Sequence, residues 1–216
     1  VRYQTERPES YFFDPEIRSV YNAVRKVLPG RTISIVDMTL DRKVFVVHAE
    51  RDTEPGTYFL LDLSRGEAKL DAIATVAPGL TGKGLAPMRS IQMPSRDGTM
   101  IPGYITLPVK SPAKGNPPLI VMPHGGPYAR DSWGFDPWVQ FLASRGYAVL
   151  QMEFRGSWGY GSEWFRAGFR DWGGLPYSDV LDATRWAQAQ GYGDPNRTCS
   201  VGASYGGYIS LLAATR

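Results

Sequence analysis

Gly202-Ala203-Ser204-Tyr205-Gly206-Gly207-Tyr208 is the stretch that decides the fold of the second half of this chain. It fits the pattern G-x-S-x-G, follows a short segment typical of a β-strand and precedes a segment typical of a helix. Glycines on both sides of the serine remove the Cβ atoms that would clash in a tight strand-to-helix turn, and they leave the hydroxyl exposed. The stretch therefore predicts a sharp turn with Ser204 as a candidate nucleophile.

A second glycine turn lies upstream of this stretch. Residues 119–122 form an apolar run that predicts a buried strand, and the run leads directly into Pro123-His124-Gly125-Gly126-Pro127. Attack on a carbonyl group needs N–H donors aimed at the oxygen that becomes negative, and a glycine turn offers backbone N–H groups without side chains in the way. The amide of Tyr205 would supply the other donor.

Three motifs together resemble the prolyl oligopeptidase family of serine peptidases, most closely its acylaminoacyl-peptidase-like and dipeptidyl-peptidase-like branches. They are the turn at 123–127, the stretch at 202–208, and Phe154-Arg155-Gly156-Ser157-Trp158-Gly159-Tyr160-Gly161. The resemblance implies an α/β-hydrolase domain with a Ser-Asp-His triad, capped by a β-propeller that admits only short peptides. It further implies that Ser204 is the nucleophile and that the backbone N–H groups of Tyr205 and Gly126 form the oxyanion hole.

The third motif opens a segment, residues 155–174, that is rich in aromatic residues set among glycines. In the family this segment lines the active-site side. Trp158 and Tyr160, with Arg166 nearby, would then form an apolar substrate pocket with a group that binds a carbonyl or carboxylate. The alternative is that the rings only pack the loop.

The family's triad is incomplete within these 216 residues. In this fold the triad runs Ser, then Asp or Glu, then His along the chain, so the base must follow Ser204. The only histidines, His48 and His124, precede it, and the sequence ends at Arg216. We expect an internal piece of a longer protein, and we expect this piece alone to be inactive because a serine hydroxyl without a base is a poor nucleophile.

Residues 1–84 are predicted to form the last blade of the propeller. Turns near 52–56 and 64–67 separate short β-type runs, which is the pattern of a four-stranded meander. The runs lie at 32–36, 43–49, 57–63 and 68–72. Apolar residues at helical spacing predict a helix from 15 to 27, with Asp14 placed to cap its start. The alternative is a small antiparallel sheet packed on the hydrolase domain, and His48 is structural in either case.

Residues 85–216 are predicted to be the N-terminal part of the hydrolase domain. A hairpin with its turn at Asp97-Gly98 comes first, and helices then alternate with strands, which indicates a mainly parallel sheet. The helices are predicted at 138–144, at 177–190 and after Ser204, and the strands at 148–153 and around Thr198. The fold class is therefore α/β, an incomplete α/β-hydrolase preceded by antiparallel blade strands.

Two acids and one cysteine of the second half are assigned no catalytic role. Asp179 and Asp182 lie near the start of the helix predicted at 177–190, where acids interact favourably with the helix dipole. Cys199 is the only cysteine, so an internal disulfide is excluded. It lies in the strand before Ser204, which we expect to be central in the sheet, and we assign it to packing.

The composition fits a globular protein, with 43% hydrophobic and 21% charged residues. The net charge of +3 comes from Lys and Arg scattered among Asp and Glu, so we expect neither a nucleic-acid nor a membrane partner. No apolar stretch is long enough to cross a bilayer. The resemblance implies a peptide substrate and no cofactor or metal. An oligomer of the full-length protein and a location in the cytoplasm or the periplasm stay open.

Two function classes follow. The first is a serine peptidase that hydrolyses short peptides or N-acyl peptides through an acyl-enzyme on Ser204. The second is a non-catalytic hydrolase-fold module in which the same turn survives as scaffold. A carboxylesterase-like hydrolase is the closest enzymatic rival, but the blade-like first half and the run at 155–161 favour a peptidase.

Overall fold

The computed structural model describes residues 1–4, 6–80, 84–110 and 112–215, and it divides into two compact units. The first consists of Val1–Leu85 with Ser132–Asp136, and the second of Ala86–Asp131 with Pro137–Arg216. Each unit has its own hydrophobic core. In the described ranges, no helix has both the length and the apolar character of a membrane span.

The first unit is built around a four-stranded antiparallel sheet. Its elements are β1 (Arg2–Gln4), β2 (Pro8–Ser10), α1 (Pro15–Val27), β3 (Thr32–Met38), β4 (Val44–Arg51), β5 (Glu54–Asp62), β6 (Lys69–Thr75) and a 3-10 helix (Pro78–Leu80). β1 pairs with β2, and β3 to β6 pair in chain order. The predicted helix and all four predicted β runs are present, in the order of a blade-like meander.

Strand β4 shows how this sheet acquires its buried face. Phe45, Val47 and Ala49 are buried, and the residues between them are half-buried, as the two-residue period of a strand requires. Helix α1 adds Tyr21 and Val24 to the same core. The strand therefore packs against the apolar stripe of the helix that precedes the sheet.

Asp14 caps helix α1 as predicted. Its Oδ1 accepts hydrogen bonds from the amides of Glu16 and Ile17 at 3.0 and 3.1 Å. Pro15 occupies the first helical position, where no N–H is needed. The hydrogen bond from Ile17 is the main reason that the pKa of Asp14 lies below its usual value.

The turn between β4 and β5 is shorter than predicted. We expected residues 52–56 to reverse the chain, but β5 begins at Glu54, so Pro55 and Gly56 lie within the strand. A Cβ atom at position 56 would lie 1.8 Å from Nε2 of His48, so any other residue there would displace this ring. The His48 ring packs on Tyr58 with centroids 4.7 Å apart, so this histidine is structural, as expected.

The second unit is built around a five-stranded mixed sheet. Its elements are β7 (Met88–Pro94), β8 (Met100–Thr106), β9 (Pro118–Val121), α2 (Pro137–Ser144), β10 (Ala148–Met152), α3 (Ser162–Ala167), α4 (Leu175–Ala189), β11 (Asp194–Ser200) and α5 (Tyr205–Thr215). The order across the sheet is β11-β9-β10-β8-β7. β9 is parallel to β10 and β11, whereas β8 is antiparallel to β10 and β7. The α/β class is confirmed, and the sheet is mixed because the β7–β8 hairpin extends it.

Strands β9 and β10 lie inside the sheet and carry its core. Leu119 and Val121 of β9 and Leu150 and Met152 of β10 are all buried in one apolar cluster. Since β9, β10 and β11 are parallel, their carboxyl ends meet at the same edge of the sheet, where ligand sites of such sheets usually lie. The segments that follow these three strands are the three motifs of the sequence.

Strand β11 is not central, contrary to our expectation. It pairs only with β9, and the described residues contain no further strand after Ser200, so Cys199 is exposed. Thr198, which is unusually polar for a buried strand, is half-buried and accepts a hydrogen bond from Gln188 Nε2 at 2.9 Å. Within the described residues, Cys199 therefore lies on an edge strand of the sheet.

The helix-dipole explanation for Asp179 and Asp182 was also wrong. Helix α4 starts at Leu175, and neither acid lies in its first turn. Asp179 is fully buried and binds the Arg155 guanidinium at 2.6 Å, while Asp182 binds that of Arg96 at 2.8 Å. Both acids therefore fix neighbouring segments through ion pairs.

Candidate active site

Ser204 lies in a sharp turn between β11 and α5. Its backbone has φ +56°, in the left-handed region that costs a non-glycine residue about 1 kcal/mol or more, and the residue is exposed. A Cβ atom at Gly202 would lie 2.5 Å from the carbonyl carbon of Gly206, and one at Gly206 would lie 2.1 Å from the Pro123 carbonyl oxygen. The glycines are therefore needed for close backbone approach, and the turn presents the serine outward as the pattern predicted.

The turn at 123–127 lies directly beside Ser204. The two turns meet because Ser200 of β11 pairs with Val121 of β9 at the ends of parallel strands. A Cβ atom at Gly125 would lie 3.5 Å from Cβ and 4.0 Å from Oγ of Ser204. The glycine thus leaves open the space in front of the hydroxyl.

The two amides proposed for the oxyanion hole belong to these adjoining turns. Tyr205 is the first residue of α5, and the first N–H groups of a helix have no partner within it. Gly126 has φ +117°, and a Cβ atom there would lie 2.3 Å from the Tyr128 amide nitrogen, so only glycine fits. Their role as donors to an oxyanion stays a prediction.

His124 is buried beneath this turn and is not placed to act as a base. Its Nδ1 lies 2.7 Å from the Gly125 carbonyl oxygen and its Nε2 lies 2.8 Å from Oγ of Ser157. The ring stacks on Phe154 with centroids 4.2 Å apart. Burial lowers the pKa of His124 to about 4, so the imidazole is neutral near pH 7. The second unit contains no other histidine.

Glu153 is a buried acid that the sequence analysis did not single out. It directly follows β10, and its side chain is fully buried. Oε1 accepts a hydrogen bond from the Asp131 amide at 2.9 Å, and Oε2 lies 3.7 Å from Nε2 of His124. Burial raises the pKa of Glu153 to about 9, so the carboxyl is protonated near pH 7. The available signal was an acid at the end of the apolar run at 148–152.

Tyr160 braces the loop at 124–131. Its hydroxyl accepts a hydrogen bond from Nη2 of Arg130 at 2.9 Å, and the same guanidinium lies 4.6 Å from the centre of its ring. The Trp158 amide also donates to the Ala129 carbonyl at 2.9 Å. The motif at 154–161 is therefore joined to the loop at 124–131, and the structure places Tyr160 against Arg130.

Trp158 and Arg166 line a cavity of about 570 Å³. Its lining is completed by Gly159, Gly161, Ser162, Phe165 and Phe169. Both predicted residues are exposed there, so an apolar ring and a cation are available together. Tyr160 is not part of this lining, and the substrate role of all three residues stays a prediction.

A run of aromatic contacts extends from this cavity to the nucleophile turn. Tyr128 contacts the rings of Phe165 and Phe169, with centroids 5.0 and 5.4 Å apart. Nε1 of Trp172 donates to the Tyr128 hydroxyl at 3.5 Å, and the Tyr205 hydroxyl donates to the Trp172 carbonyl at 2.6 Å. Ring contacts and hydrogen bonds therefore connect the cavity lining to Tyr205, the residue that follows Ser204.

An ion-pair cluster holds the start of the aromatic segment. Arg155 donates its backbone amide to Asp179 at 2.9 Å and its guanidinium to Asp179 and Asp97. Hydrogen bonds to Asp179 are the main cause that raises the pKa of Arg155 above its usual value. No group of three or more potential metal-ligating side chains occurs in the described part of the chain.

Comparison with known proteins agrees with the resemblance drawn from the motifs. Residues 133–216 match the model described as the prolyl oligopeptidase family. A dipeptidyl aminopeptidase BIII from Pseudoxanthomonas mexicana is 37% identical over 215 residues, which cover 97% of this chain and 31% of the relative. Dipeptidyl peptidase family member 6 from Caenorhabditis elegans is 30% identical over 229 residues, with the same two coverages. The chain thus spans 31% of the length of these curated relatives.

The fold also matches that of solved peptidase structures. The acylaminoacyl peptidase of Pyrococcus horikoshii superposes with a TM-score of 0.67 at 23% identity, covering 84% of this chain and 29% of that one. At this identity the likeness shows the fold alone. It agrees with the predicted combination of antiparallel blade strands and an α/β-hydrolase sheet.

Proposed function

We propose that this chain, a member of the prolyl oligopeptidase family over residues 133–216, carries the nucleophile of a serine peptidase. The enzyme would cleave short peptides or N-acyl peptides through an acyl-enzyme on Ser204. The observation that carries this proposal is the exposed Ser204 at φ +56°, with Gly125 directly in front of it. A strained non-glycine residue held by obligatory glycines is typical of a nucleophile turn.

In the proposed reaction, Oγ of Ser204 attacks the scissile carbonyl carbon and loses its proton to a base. The carbonyl oxygen becomes negative and accepts hydrogen bonds from the amides of Tyr205 and Gly126. Collapse of this intermediate breaks the C–N bond, and the base returns its proton to the leaving amine. Water then repeats the attack on the ester, which releases the acid and restores the serine.

The base and its orienting acid are assigned to the part of the protein outside this chain. His124 is held by Gly125 and Ser157, and the chain covers only 31% of each of the two relatives. Without a base, the hydroxyl stays protonated and the oxyanion donors alone leave only residual catalysis. We therefore assign turnover to the complete protein.

The cavity at Trp158 and Arg166 is the proposed binding site for part of the peptide. Apolar rings at Trp158 and Phe165 would bury a side chain, and Arg166 would bind a carbonyl or carboxylate. The two relatives are named as a dipeptidyl aminopeptidase and a dipeptidyl peptidase family member, and the solved structure is named as an acylaminoacyl peptidase. Peptides with a free or an acylated N-terminus are the substrate classes we propose.

Burst kinetics of the complete protein would test this function. Mixing with p-nitrophenyl acetate should release one p-nitrophenol per Ser204 in a fast phase, because acylation precedes slower deacylation. Ser204→Ala should abolish the burst, and Ser144→Ala, which changes an exposed serine of α2, should keep it. A burst of wild-type size in Ser204→Ala would refute the proposal.

Amide substrates then separate the peptidase from its esterase rival. The complete protein should release p-nitroaniline from a dipeptidyl or an N-acetyl-aminoacyl p-nitroanilide. Ester cleavage through Ser204 with no cleavage of either anilide would favour a carboxylesterase.

A further inference from the structure

The loop at 124–131 meets one buried side chain, Glu153, near both of its ends, through a hydrogen bond at the far end and a close approach at the near end. At the far end, the Asp131 amide donates to Oε1 of Glu153 at 2.9 Å. At the near end, Oε2 of Glu153 lies 3.7 Å from Nε2 of His124 and has no hydrogen-bond partner among the described residues. Glu153 is fully buried, so the structure maintains a desolvated carboxyl at this point despite its cost.

His124 transmits this constraint to the Gly126 amide. A carbonyl oxygen can only accept, so Nδ1 carries a proton that it donates to the Gly125 carbonyl at 2.7 Å. The peptide unit that joins Gly125 to Gly126 is planar, and in the trans form its C=O and N–H point in opposite directions. Fixing the Gly125 oxygen on the ring side therefore directs the Gly126 N–H away from His124.

We propose that Glu153 is a positioning residue for acyl transfer at Ser204, because it accepts a hydrogen bond from the far end of the loop that carries the Gly126 oxyanion donor and packs beside His124 at the near end. This inference rests on the proposed function. Glu153 does not touch the substrate. It acts through His124 and Asp131, and it controls the position and direction of the Gly126 N–H relative to the carbonyl oxygen that becomes negative.

The form of Glu153 that fits this role is the protonated acid. Burial and the nearby Asp131 raise the pKa of Glu153, whereas the positive charge of Arg130 lowers it. The other titratable groups that face Glu153 are Tyr160 and the neutral ring of His124. A glutamine has nearly the same shape as a protonated glutamic acid and keeps the acceptor for the Asp131 amide. Glu153→Gln should therefore keep nearly wild-type activity near pH 7, whereas Glu153→Leu, with no polar atom, should be impaired.

The test compares p-nitrophenyl acetate with its thiono analogue, using the complete protein. Sulfur is a poor hydrogen-bond acceptor, so a well-aimed oxyanion hole favours the oxygen ester, and a misaimed one loses that preference. Glu153→Leu should lower kcat/KM for the oxygen ester by about 10–100-fold through kcat, as expected for a misplaced catalytic group. The oxygen-to-sulfur ratio of kcat/KM should fall by about tenfold.

Controls separate positioning from general destabilisation. Asp182→Asn also removes a buried carboxylate of the second unit but leaves the loop at 124–131 untouched, so it should keep the wild-type ratio. Glu153→Gln should keep the ratio at pH 7, and it should stay active above about pH 9, where wild-type Glu153 ionises and activity falls. If Glu153→Leu does not fold, Glu153→Asp replaces it, because a carboxyl withdrawn by one methylene cannot reach both ends.

A wild-type ratio in folded Glu153→Leu or Glu153→Asp would overturn the proposal. The proposal would also be overturned if Glu153→Gln lost as much kcat/KM for the oxygen ester at pH 7 as Glu153→Leu. These outcomes differ from failure of the proposed function, in which Ser204→Ala would hydrolyse both esters at the wild-type rate.

Discussion

At the residue scale, the geometry of the candidate active site depends on positions where a side chain is sterically excluded. Gly206 shows this most clearly, because its Cα lies so close to the Pro123 carbonyl that a Cβ atom would be 2.1 Å from the oxygen. The contacting atom is backbone and cannot rotate away. The turn of Ser204 and the turn at 123–127 therefore form a single packed contact.

Substitution of Gly206 by alanine should separate these two turns. We expect Gly206→Ala to lower the free energy of unfolding by about 1–3 kcal/mol, the usual cost of overpacking, and to abolish acylation of Ser204. Urea unfolding and the acylation burst would measure the two effects. Gly79→Ala is the matched control, since a Cβ atom there would meet nothing within 4 Å, and equal effects of both variants would contradict the prediction.

Trp158 and Tyr160 should respond differently to substitution, although both belong to the same motif. Trp158 lines the cavity, so Trp158→Ala should raise KM for peptide substrates severalfold with little change in stability. Tyr160→Phe removes the acceptor of the Arg130 hydrogen bond and should cost about 1 kcal/mol of stability with KM unchanged. Steady-state kinetics would measure KM, and urea unfolding would measure stability, for both variants. A KM that rises in Tyr160→Phe but not in Trp158→Ala would contradict the prediction.

At the scale of elements, ion pairs fix the segment after β10 to helix α4 and to the β7–β8 hairpin. Arg155 contacts a fully buried acid on α4, Asp179, and an exposed acid in the hairpin turn, Asp97. A buried charge that loses its partner stays desolvated, whereas an exposed charge is compensated by water.

The two acids that share Arg155 therefore form a matched pair of tests. Asp179→Asn should lower the free energy of unfolding by about 3–5 kcal/mol, because it removes the fully buried carboxylate that is the main partner of Arg155, whose side chain is only 11% exposed. Asp97→Asn should cost less than about 1 kcal/mol, because its side chain is 45% exposed. Urea unfolding of both variants measures the difference, and equal losses would show that burial does not set the strength of these pairs.

The elements that are specified by residues close together in the sequence were predicted correctly. The helix capped by Asp14, the hairpin at Asp97-Gly98 and the turn of Ser204 each depend on residues a few positions apart. The turn at 52–56 was misjudged because Gly56 serves a contact with the ring of His48 on the neighbouring strand. Short helix α3 inside the aromatic segment was also not foreseen.

The contacts that hold the loop beside Ser204 could not be predicted, because the residues that make them lie far apart in sequence. Glu153 reaches Asp131 and His124, and Tyr160 reaches Arg130, only after β9 and β10 pair in parallel. The family resemblance indicated that these motifs belong together and assigned Tyr160 to substrate, a role that stays a prediction. Its contact with Arg130 became visible only in the structure.

At the scale of the whole molecule, the buried Glu153 and His124 should shape the dependence of stability on pH. The pKa of Glu153 is raised in the folded state to about 9, so its contribution is complete below about 4.5 and is lost as the pH rises to about 9. The pKa of His124 is lowered to about 4, so its contribution is present above about 6.5 and is lost as the pH falls toward 4. Between pH 7 and 9 only the Glu153 contribution changes.

Unfolding in urea at pH 7 and at pH 9 tests directly whether Glu153 sets this dependence of stability on pH. The free energy of unfolding of the wild type should fall by up to about 1.4 kcal/mol per pH unit, and Glu153→Gln should remove most of that fall. Asp182→Asn should keep the wild-type slope, because the pKa of Asp182 is lowered and the group is already ionised at pH 7. The same slope in Glu153→Gln as in the wild type would contradict the assignment.

The activity that we propose for the complete protein requires Ser204 to be its nucleophile. Treatment of the complete protein with a fluorophosphonate probe, followed by digestion and mass spectrometry, reports directly which side chain is modified. We predict a single adduct on Ser204, none on Ser204→Ala, and little or none on the 216-residue chain alone, which lacks a base for the serine. Equal labelling of the wild type and Ser204→Ala would contradict the assignment of Ser204 as the nucleophile.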